Sequence, residues 1–398
     1  MNAPFKQHLI DPEICIRCYT CEMTCPVGAI EHDDNNVVVN ADACNFCLDC
    51  IPVCPTGSID EWRVVSDKES AYSLEDQYSW LELPDQEEIS QDTASPQADT
   101  EDDPVAAMIA EAHKGAGGKP TAPLTASKPT INLYNLGHPV QAVVQGNYRL
   151  TDDDSHDVRH IILDFEGKPF PVLEGQSLGV IAPGVDAEGK AHLPRLYSVS
   201  SPRDGERSGY HNVSLTVKRE TDGLCSNYLC DLKTGDKVNV TGPFGATFLL
   251  PSDPDARLLM ICTGTGSAPM RAFTMARQRT VGEKNGGMIM FFGARAPESL
   301  PYFGPLNKVP STLLQKHLVY SRVDGQEKEY VQDRMLAEQD LVAEMLNDPK
   351  THIYICGLKE MEEGVEHAFT NIAASFGEQW HNLRDTMRED GRYHVETY

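Results

Sequence analysis

Two runs of cysteine constrain this chain more than any other feature. In CIRCYTCEMTC, residues 15–25, the thiols are spaced for C-x2-C-x2-C-x3-C, and CNFCLDCIPVC, residues 44–54, repeats the pattern, with proline after each run. Three closely spaced thiolates can wrap one face of an iron–sulfur cube while the fourth ligand comes from elsewhere. The spacing is therefore that of a [4Fe–4S] ligand set in which the fourth cysteine of each run serves the other cluster. Cys15, Cys18, Cys21 and Cys54 are assigned to one cluster, and Cys44, Cys47, Cys50 and Cys25 to the second. Zinc takes its ligands from two separated pairs, which this pattern does not offer, and disulfides need an oxidising compartment.

The sequence around these runs is a tandem repeat, because CPVGAIEHDD at 25–34 answers CPTGSIDEWR at 54–63. Each half is expected to hold a cysteine loop, a short helix beginning after the proline and a small strand. Two such halves bury little apolar surface, so metal ligation across the repeat has to supply much of the folding energy. The region resembles a two-cluster bacterial ferredoxin over its whole length. The compartment follows from the rest of the sequence: no apolar run approaches the ~20 residues needed to span a bilayer, and MNAPFKQHLI lacks the basic and apolar parts of a signal peptide. A cytoplasmic location is expected. The formal charge of −26 argues against nucleic acid or an anionic membrane as partner.

Beyond the cysteines the character changes three times. Residues 1–66 form the expected ferredoxin domain, and 67–130 read as an acidic, Gly/Pro/Ala-rich flexible linker, with a short helix expected at VAAMIAEAH. Residues 131–252 alternate with period two between Gly and Pro turns (PVQAVVQGNYRL, VRHIILDF, RLYSVSS, HNVSLTVKR, DKVNVTGPFG), which predicts an antiparallel barrel or sandwich. From 253 to 398 buried apolar strands alternate with helical stretches, predicting a parallel sheet with helices on both faces. The expected fold class is thus multidomain α+β and α/β.

ICTGTGSAPMRAF, residues 261–273, sets a Gly-rich turn between an apolar strand and a helix, a place for a pyrophosphate on backbone N–H groups. It reads G-x-G-x-x-P, which departs from the usual dinucleotide fingerprint; alone it is as well explained as a structural turn. RLYSVSS at 195–201 adds a cation for phosphate, an aromatic ring able to lie on a flavin and a hydroxyl for its reactive edge, and GLCSNYL at 223–229 adds a second phosphate loop.

With these motifs in this order, together with GPFG and a closing aromatic residue, residues 131–398 resemble the plant-type ferredoxin–NADP reductase family. The resemblance implies an FAD-binding barrel and an NADP-binding α/β domain. It implies that Arg195 meets the FAD pyrophosphate, that Tyr197 packs on the isoalloxazine, and that Ser198 lies beside N5, where hydride arrives. Gly223, Leu224, Cys225 and Ser226 match the loop that cradles the FAD phosphates, Lys218 faces the nicotinamide nucleotide, and Thr265 and Gly266 belong to the pyrophosphate turn. Ser321, Arg322, Lys328 and Tyr330 match the family's site for the 2′-phosphate of NADP. The charge argument agrees, since a dianion wants a guanidinium, an ammonium and hydroxyls, whereas a bare ribose wants an acidic residue. NADPH is expected over NADH. Cys356 matches the cysteine that lies against the nicotinamide, and Glu396 and Tyr398 match the last glutamate and the tyrosine that covers the flavin. Cys230 and Cys262 are expected to be core packing.

Nicotinamide gives two electrons together, and iron–sulfur clusters take them singly; a flavin between them can do both. The chain is therefore expected to be an NADPH-dependent reductase using FAD and two [4Fe–4S] clusters. The order of ferredoxin head, acidic linker and reductase resembles the reductase components of benzoyl-CoA epoxidase systems, which implies a separate di-iron oxygenase as acceptor. A soluble ferredoxin, a sulfite reductase or a hydrogenase remains open as acceptor, as do an inactive electron-storage scaffold and a homodimer.

Overall fold

The computed structural model describes residues 5–47, 49–51, 53–54, 56, 58–59, 61–84, 108, 111, 120–153, 155–185, 189–282 and 287–398. At the N-terminus, β1 (Phe5–Leu9) pairs antiparallel with β4 (Glu61–Val65), and β2 (Ile30–His32) with β3 (Val37–Val39). The outer pair joins the two ends of the cysteine region and the inner pair is a hairpin. Ile10, Ile30, Val37, Val39 and Ile59 form a small apolar core against which the cysteines of both runs pack. The short helix, Thr20–Thr24, lies inside the first cysteine run and ends before Pro26, so the helix expected after the first proline is corrected, while the one expected after the second falls largely outside the described residues. The reason is local: Cys25 is extended, as the residue before proline prefers.

The expected linker is also corrected at both ends. Residues 67–84 are part of the N-terminal module. A helix at Leu74–Ser79 opens with a Ser73/Asp76 capping box, the Gln77 amide exchanges hydrogen bonds with both backbone groups of Val39, and Asn36 Nδ2 donates to the carbonyls of Gln77, Tyr78 and Trp80. Polar composition misleads here because buried amides, rather than apolar side chains, dock the segment. At the other end, Thr125 accepts from Ser252 N through its carbonyl, and Arg203 Nη1 donates to Ser127 Oγ. The helix expected at VAAMIAEAH falls outside the described residues except for Met108 and Glu111.

The middle of the chain forms one antiparallel sheet from β5 (Val140–Arg149), β6 (Val158–Asp164), β7 (Ser177–Ile181), β8 (Arg195–Ser198), β9 (Asn212–Lys218) and β10 (Lys237–Phe244), in the order β8-β7-β10-β5-β6-β9. A bridge between Val199 and Leu215 brings the first and last strands together and closes it as a barrel. Inside lies a core of Val140, Ile161, Leu163, Leu178, Val180, Leu215, Val238 and Val240 with Cys230 among them.

The last domain is a parallel sheet of β11 (Arg257–Thr263), β12 (Met288–Ala294), β13 (Leu314–Tyr320), β14 (Thr351–Gly357) and β15 (Tyr393–Thr397), ordered β13-β12-β11-β14-β15. Successive residues of β11 feed opposite cores: Leu259 and Ile261 face the helices Val331–Ala337, Gln339–Asn347, Lys359–Ser375 and Trp380–Glu389, whereas Leu258, Met260 and Cys262 face the helix Ser267–Val281. This is the doubly wound arrangement, and its chain order reverses between β11 and β14, where such sheets bind ligands at their carboxyl ends. The barrel is fixed to this domain by Arg271, which pairs with Glu206 and donates to Ser200 O, and by Tyr302, whose hydroxyl meets His160 and Thr216. No helix among the described residues is long and apolar enough to cross a membrane.

Candidate functional site

The crevice at the strand reversal opens into a cavity of about 1010 Å³ between barrel and parallel sheet, at the upper end of the range for ligand sites. Each side chain reaches it through an element already described. Arg195, Tyr197 and Ser198 come from β8, Lys218 from the end of β9, and Gly223, Leu224, Cys225 and Ser226 from the first turn of the helix Leu224–Asp231. Thr265 follows β11, Cys356 ends β14, and Glu396 and Tyr398 come from and just beyond β15.

The centre of the cavity is a polar junction. Ser198 Oγ donates to Glu396 Oε1 at 3.0 Å and Ser177 Oγ donates to the same oxygen at 3.3 Å. Glu396 Oε2 is buried and has no partner among the described residues, so the site holds an acceptor that the protein itself does not satisfy. Burial pushes the Cys356 thiol well above its ordinary value and the Glu396 carboxylate pushes the same way, which favours the neutral thiol. Tyr398 OH and Thr265 Oγ1 are 2.6 Å apart, which lays the tyrosine across the mouth of the glycine turn. Burial likewise raises the Tyr197 phenol, and Cys225 adds to it.

Close approach, of backbone at Gly266 and of a side chain at Gly223, explains the small residues. A Cβ on Gly266 would lie 2.1 Å from the Cys356 carbonyl oxygen, and one on Gly223 would lie 2.3 Å from Ser226 Oγ. Ser226 Oγ donates to Gly223 O and accepts from Glu220 N, holding the loop in shape. An exposed guanidinium, a flat aromatic wall, tight glycine turns and an unsatisfied buried carboxylate oxygen together fit a flavin dinucleotide.

Ser321, Arg322, Lys328 and Tyr330 are not among the residues lining this cavity. They follow β13, two strands away from β11 at the same carboxyl edge of the sheet. Arg322 N donates to Arg295 O, tying this segment to the end of β12, while the Arg322, Lys328 and Tyr330 side chains are exposed. That separation, along the carboxyl edge, suits a nucleotide that spans from the glycine turn to a remote phosphate. Sequence reasoning missed Ser177 and Phe244 in the cavity lining. Phe244 sits inside the GPFG turn already singled out, whereas nothing in SLGVI marks Ser177.

The cysteines gather as two sets. Cys21 lies within electrostatic reach of Cys15, Cys18 and Cys54, and Cys44 of Cys25 and Cys47. A separate small cavity is lined by Cys25, Cys44, Cys47 and Cys50. Cys54 of the second run thus stands near the first three cysteines of the first run, and Cys25 near those of the second. Ala29 N donates to Cys25 Sγ at 3.2 Å, and Ser58 Oγ lies 3.3 Å from Cys54 Sγ, within hydrogen-bond reach. Among the described residues no three His, Cys, Asp or Glu side chains are placed to hold a single metal ion. Each thiolate of a cubane binds a different iron, so dispersed sulfurs around a small cavity fit a cluster and not a mononuclear site. Burial pushes the Cys21 thiol up to about 11 and Cys50 up to about 12, and ligation has to displace those protons.

Three family profiles divide the chain in the same way. Residues 7–59 match a 4Fe-4S dicluster domain, 151–248 an oxidoreductase FAD-binding domain and 260–367 an oxidoreductase NAD-binding domain. The ferredoxin–NADP reductase of the Cyanophora paradoxa cyanelle is 38% identical over 67% of this chain and 79% of its own length. The ferredoxin–NADP reductase of a Spirulina species is 35% identical over 67% of this chain and 98% of its own length. Among solved structures, the Plasmodium falciparum ferredoxin–NADP+ reductase aligns with a TM-score of 0.54 at 25% identity, covering 67% of this chain and 99% of that one. A point mutant of that enzyme in complex with 2′P-AMP aligns with a TM-score of 0.55 at 27% identity, covering 68% of this chain and 100% of that one.

Proposed function

The chain belongs to the ferredoxin–NADP reductase family, and on that footing we propose that it takes electrons from NADPH onto FAD and passes them through two [4Fe–4S] clusters to a separate acceptor protein. The observation that carries this reading is the convergence of Ser198, Cys356, Glu396 and Tyr398 on one cavity beside the glycine turn. Bound FAD supplies the exchange between a two-electron hydride and single electrons.

The residues divide the work. Arg195 and the Gly223–Ser226 turn hold the dinucleotide phosphates, and Tyr197 walls one face of the ring system. Ser198 orients the reactive edge through its hydroxyl, held by Glu396. Cys356 presents a neutral, compact surface for the nicotinamide, and Tyr398 occupies that place until the nicotinamide displaces it. Thr265, Gly266 and Lys218 meet the nucleotide diphosphate, and Ser321, Arg322, Lys328 and Tyr330 select the 2′-phosphate. Exclusion of water by these walls keeps hydride on its path.

The relatives are named for a separate ferredoxin, whereas this chain carries its own cluster module, which raises the effective concentration of an electron acceptor at the flavin. We propose as the final acceptor the di-iron oxygenase of a benzoyl-CoA 2,3-epoxidase, for which this chain is the reductase component. That assignment is supported by the order of ferredoxin head, acidic segment and reductase. An anaerobic titration with NADPH and then with NADH, followed by visible absorption and EPR, tests the internal path: flavin bleaching and reduced-cluster signals with NADPH are expected. Oxidised clusters beside a reduced flavin would refute it. Reconstitution with a di-iron oxygenase and benzoyl-CoA tests the acceptor, and absence of epoxide with NADPH-reduced protein excludes it.

A further inference from the structure

The cluster module is not symmetrically placed. Its second cysteine run touches the barrel: Phe46, between Cys44 and Cys47, accepts a hydrogen bond through its carbonyl from His211 Nε2 at 2.6 Å, and the two rings meet edge to face with centroids 6.0 Å apart. A Cβ on Gly209 would lie 3.1 Å from Cys47 O, and Gly209 has φ +82°, so a side chain there meets both backbone strain and the cluster loop. Phe46 itself has φ 56°, an uncommon conformation for an aromatic residue, and it presents the loop's carbonyl to the barrel. Lys6 and His8 lie within electrostatic reach of His211. His211 leads directly into β9, whose Leu215 bridges to Val199, the neighbour of Ser198. A few steps of strand, roughly 13 Å at ~3.3 Å each, separate this contact from the level of Ser198.

The first run is turned to solvent. Cys18 is exposed, and around it Ile16 is 62% exposed, Met23 77% and Ile14 46%. Exposed Glu13 and half-buried Glu22 flank them in sequence, exposed Glu31 follows on the next strand, and one exposed cation, Arg17, lies among them with its Nε donating to Asn35 O. Apolar side chains with an acidic margin suit a protein with an apolar contact face and a basic rim.

We infer that electron flow through the module has a direction: the cluster held by Cys25, Cys44, Cys47 and Cys50 receives electrons from the flavin, and the cluster held by Cys15, Cys18, Cys21 and Cys54 delivers them to a basic acceptor protein docking on Ile14, Ile16 and Met23. This rests on the function proposed above. One NADPH would give one hydride to bound FAD and become NADP+; its two electrons would leave singly through the cluster of Cys25, Cys44, Cys47 and Cys50, the first moving on to the cluster of Cys15, Cys18, Cys21 and Cys54 before the second follows, and the accompanying proton would go to solvent. The loop 202–211 is then the intramolecular dock, and the first cysteine run is the outlet.

Rapid freeze-quench EPR of the full chain after anaerobic mixing with NADPH tests the order. Cys47→Asp and Cys18→Asp each mark one cluster by changing its signal. The signal altered by Cys47→Asp is expected to rise first, and the one altered by Cys18→Asp to follow; the reverse order overturns the inference. His211→Ala and Gly209→Asp leave every ligand in place. They are expected to slow cluster reduction at least tenfold and to raise amide hydrogen exchange across residues 205–211. Clusters that fill in these variants at the rate of the parent chain, with unchanged exchange, overturn the dock. If the unsubstituted chain never reduces its clusters with NADPH, the function proposed above fails first. At the outlet, Met23→Lys is expected to raise several-fold the KM for cytochrome c, a basic one-electron acceptor used here as probe; an unchanged KM removes that surface from the route.

Discussion

Ser198 and Glu396 illustrate how much of the site depends on a single side chain. The Ser198 hydroxyl donates to a carboxylate whose second oxygen is buried without a partner among the described residues, so its orientation is set before any ligand arrives. Ser198→Ala is expected to lower the rate of flavin bleaching by NADPH on the order of 10²-fold through misplacement of the reacting edge, with FAD content unchanged, as stopped-flow absorbance would show. His352 acts on stability instead. Burial, with Arg392 and Arg277 nearby, lowers its ring from 6.5 to about 4. An unfolded chain takes up this proton near pH 6.5 and the folded one only near 4, so stability is lost as pH falls between those values, by up to roughly 3 kcal/mol. Denaturant midpoints at pH 7 and pH 5 are expected to differ in the parent chain and to differ less in His352→Phe, the remaining difference coming from other buried histidines such as His8 and His160, whose rings burial also lowers. At this scale the motif residues were legible because their spacing is local. Ser177 was not, since its bond to Glu396 joins positions 219 residues apart.

At the scale of elements, the glycine turn after β11 decides how nucleotide and sheet meet. Gly266 has an ordinary helical φ of −59°, and its constraint is space, because the Cys356 carbonyl occupies the place of a side chain. Gly266→Ala is expected to cost about 1–3 kcal/mol by overpacking and to raise the KM for NADPH; a thermal melt and a steady-state titration check both, and a variant with parental values would refute the steric reading. Nearly every strand of the barrel was visible as alternation. β7 was not singled out, because SLGVI is buried along most of its length and a short apolar run carries no period. The segment 67–84 was misjudged for a related reason: its docking uses the buried amides of Gln77 and Asn36, which composition counts as polar.

For the whole molecule, the N-terminal module and the reductase domains draw on different sources of stability. Large cores hold the barrel and the parallel sheet, whereas the module has a core of a few side chains with the cysteines packed around it. Removal of iron by a chelator under reducing conditions is expected to unfold residues 5–84 while the C-terminal domains keep their melting transition. Calorimetry would then show one transition surviving from two, and an apo module that still melts cooperatively would contradict this division. The acidic charge of the whole chain, −26, agrees with an outlet that meets a basic partner.

The sequence by itself determined the two cysteine runs, the alternation of a barrel followed by a doubly wound sheet, and most of the motif residues that meet in the cavity between them. These are properties of spacing and period, which short stretches of chain carry independently of one another. Only the tertiary structure decided that Ser177 and Ser198 share one carboxylate oxygen, that residues 67–84 complete the cluster module, and that the second cysteine run faces the barrel while the first faces solvent. Those facts arise where side chains from distant strands converge, and convergence depends on how the chain crosses from sheet to sheet, which no local pattern of residues encodes.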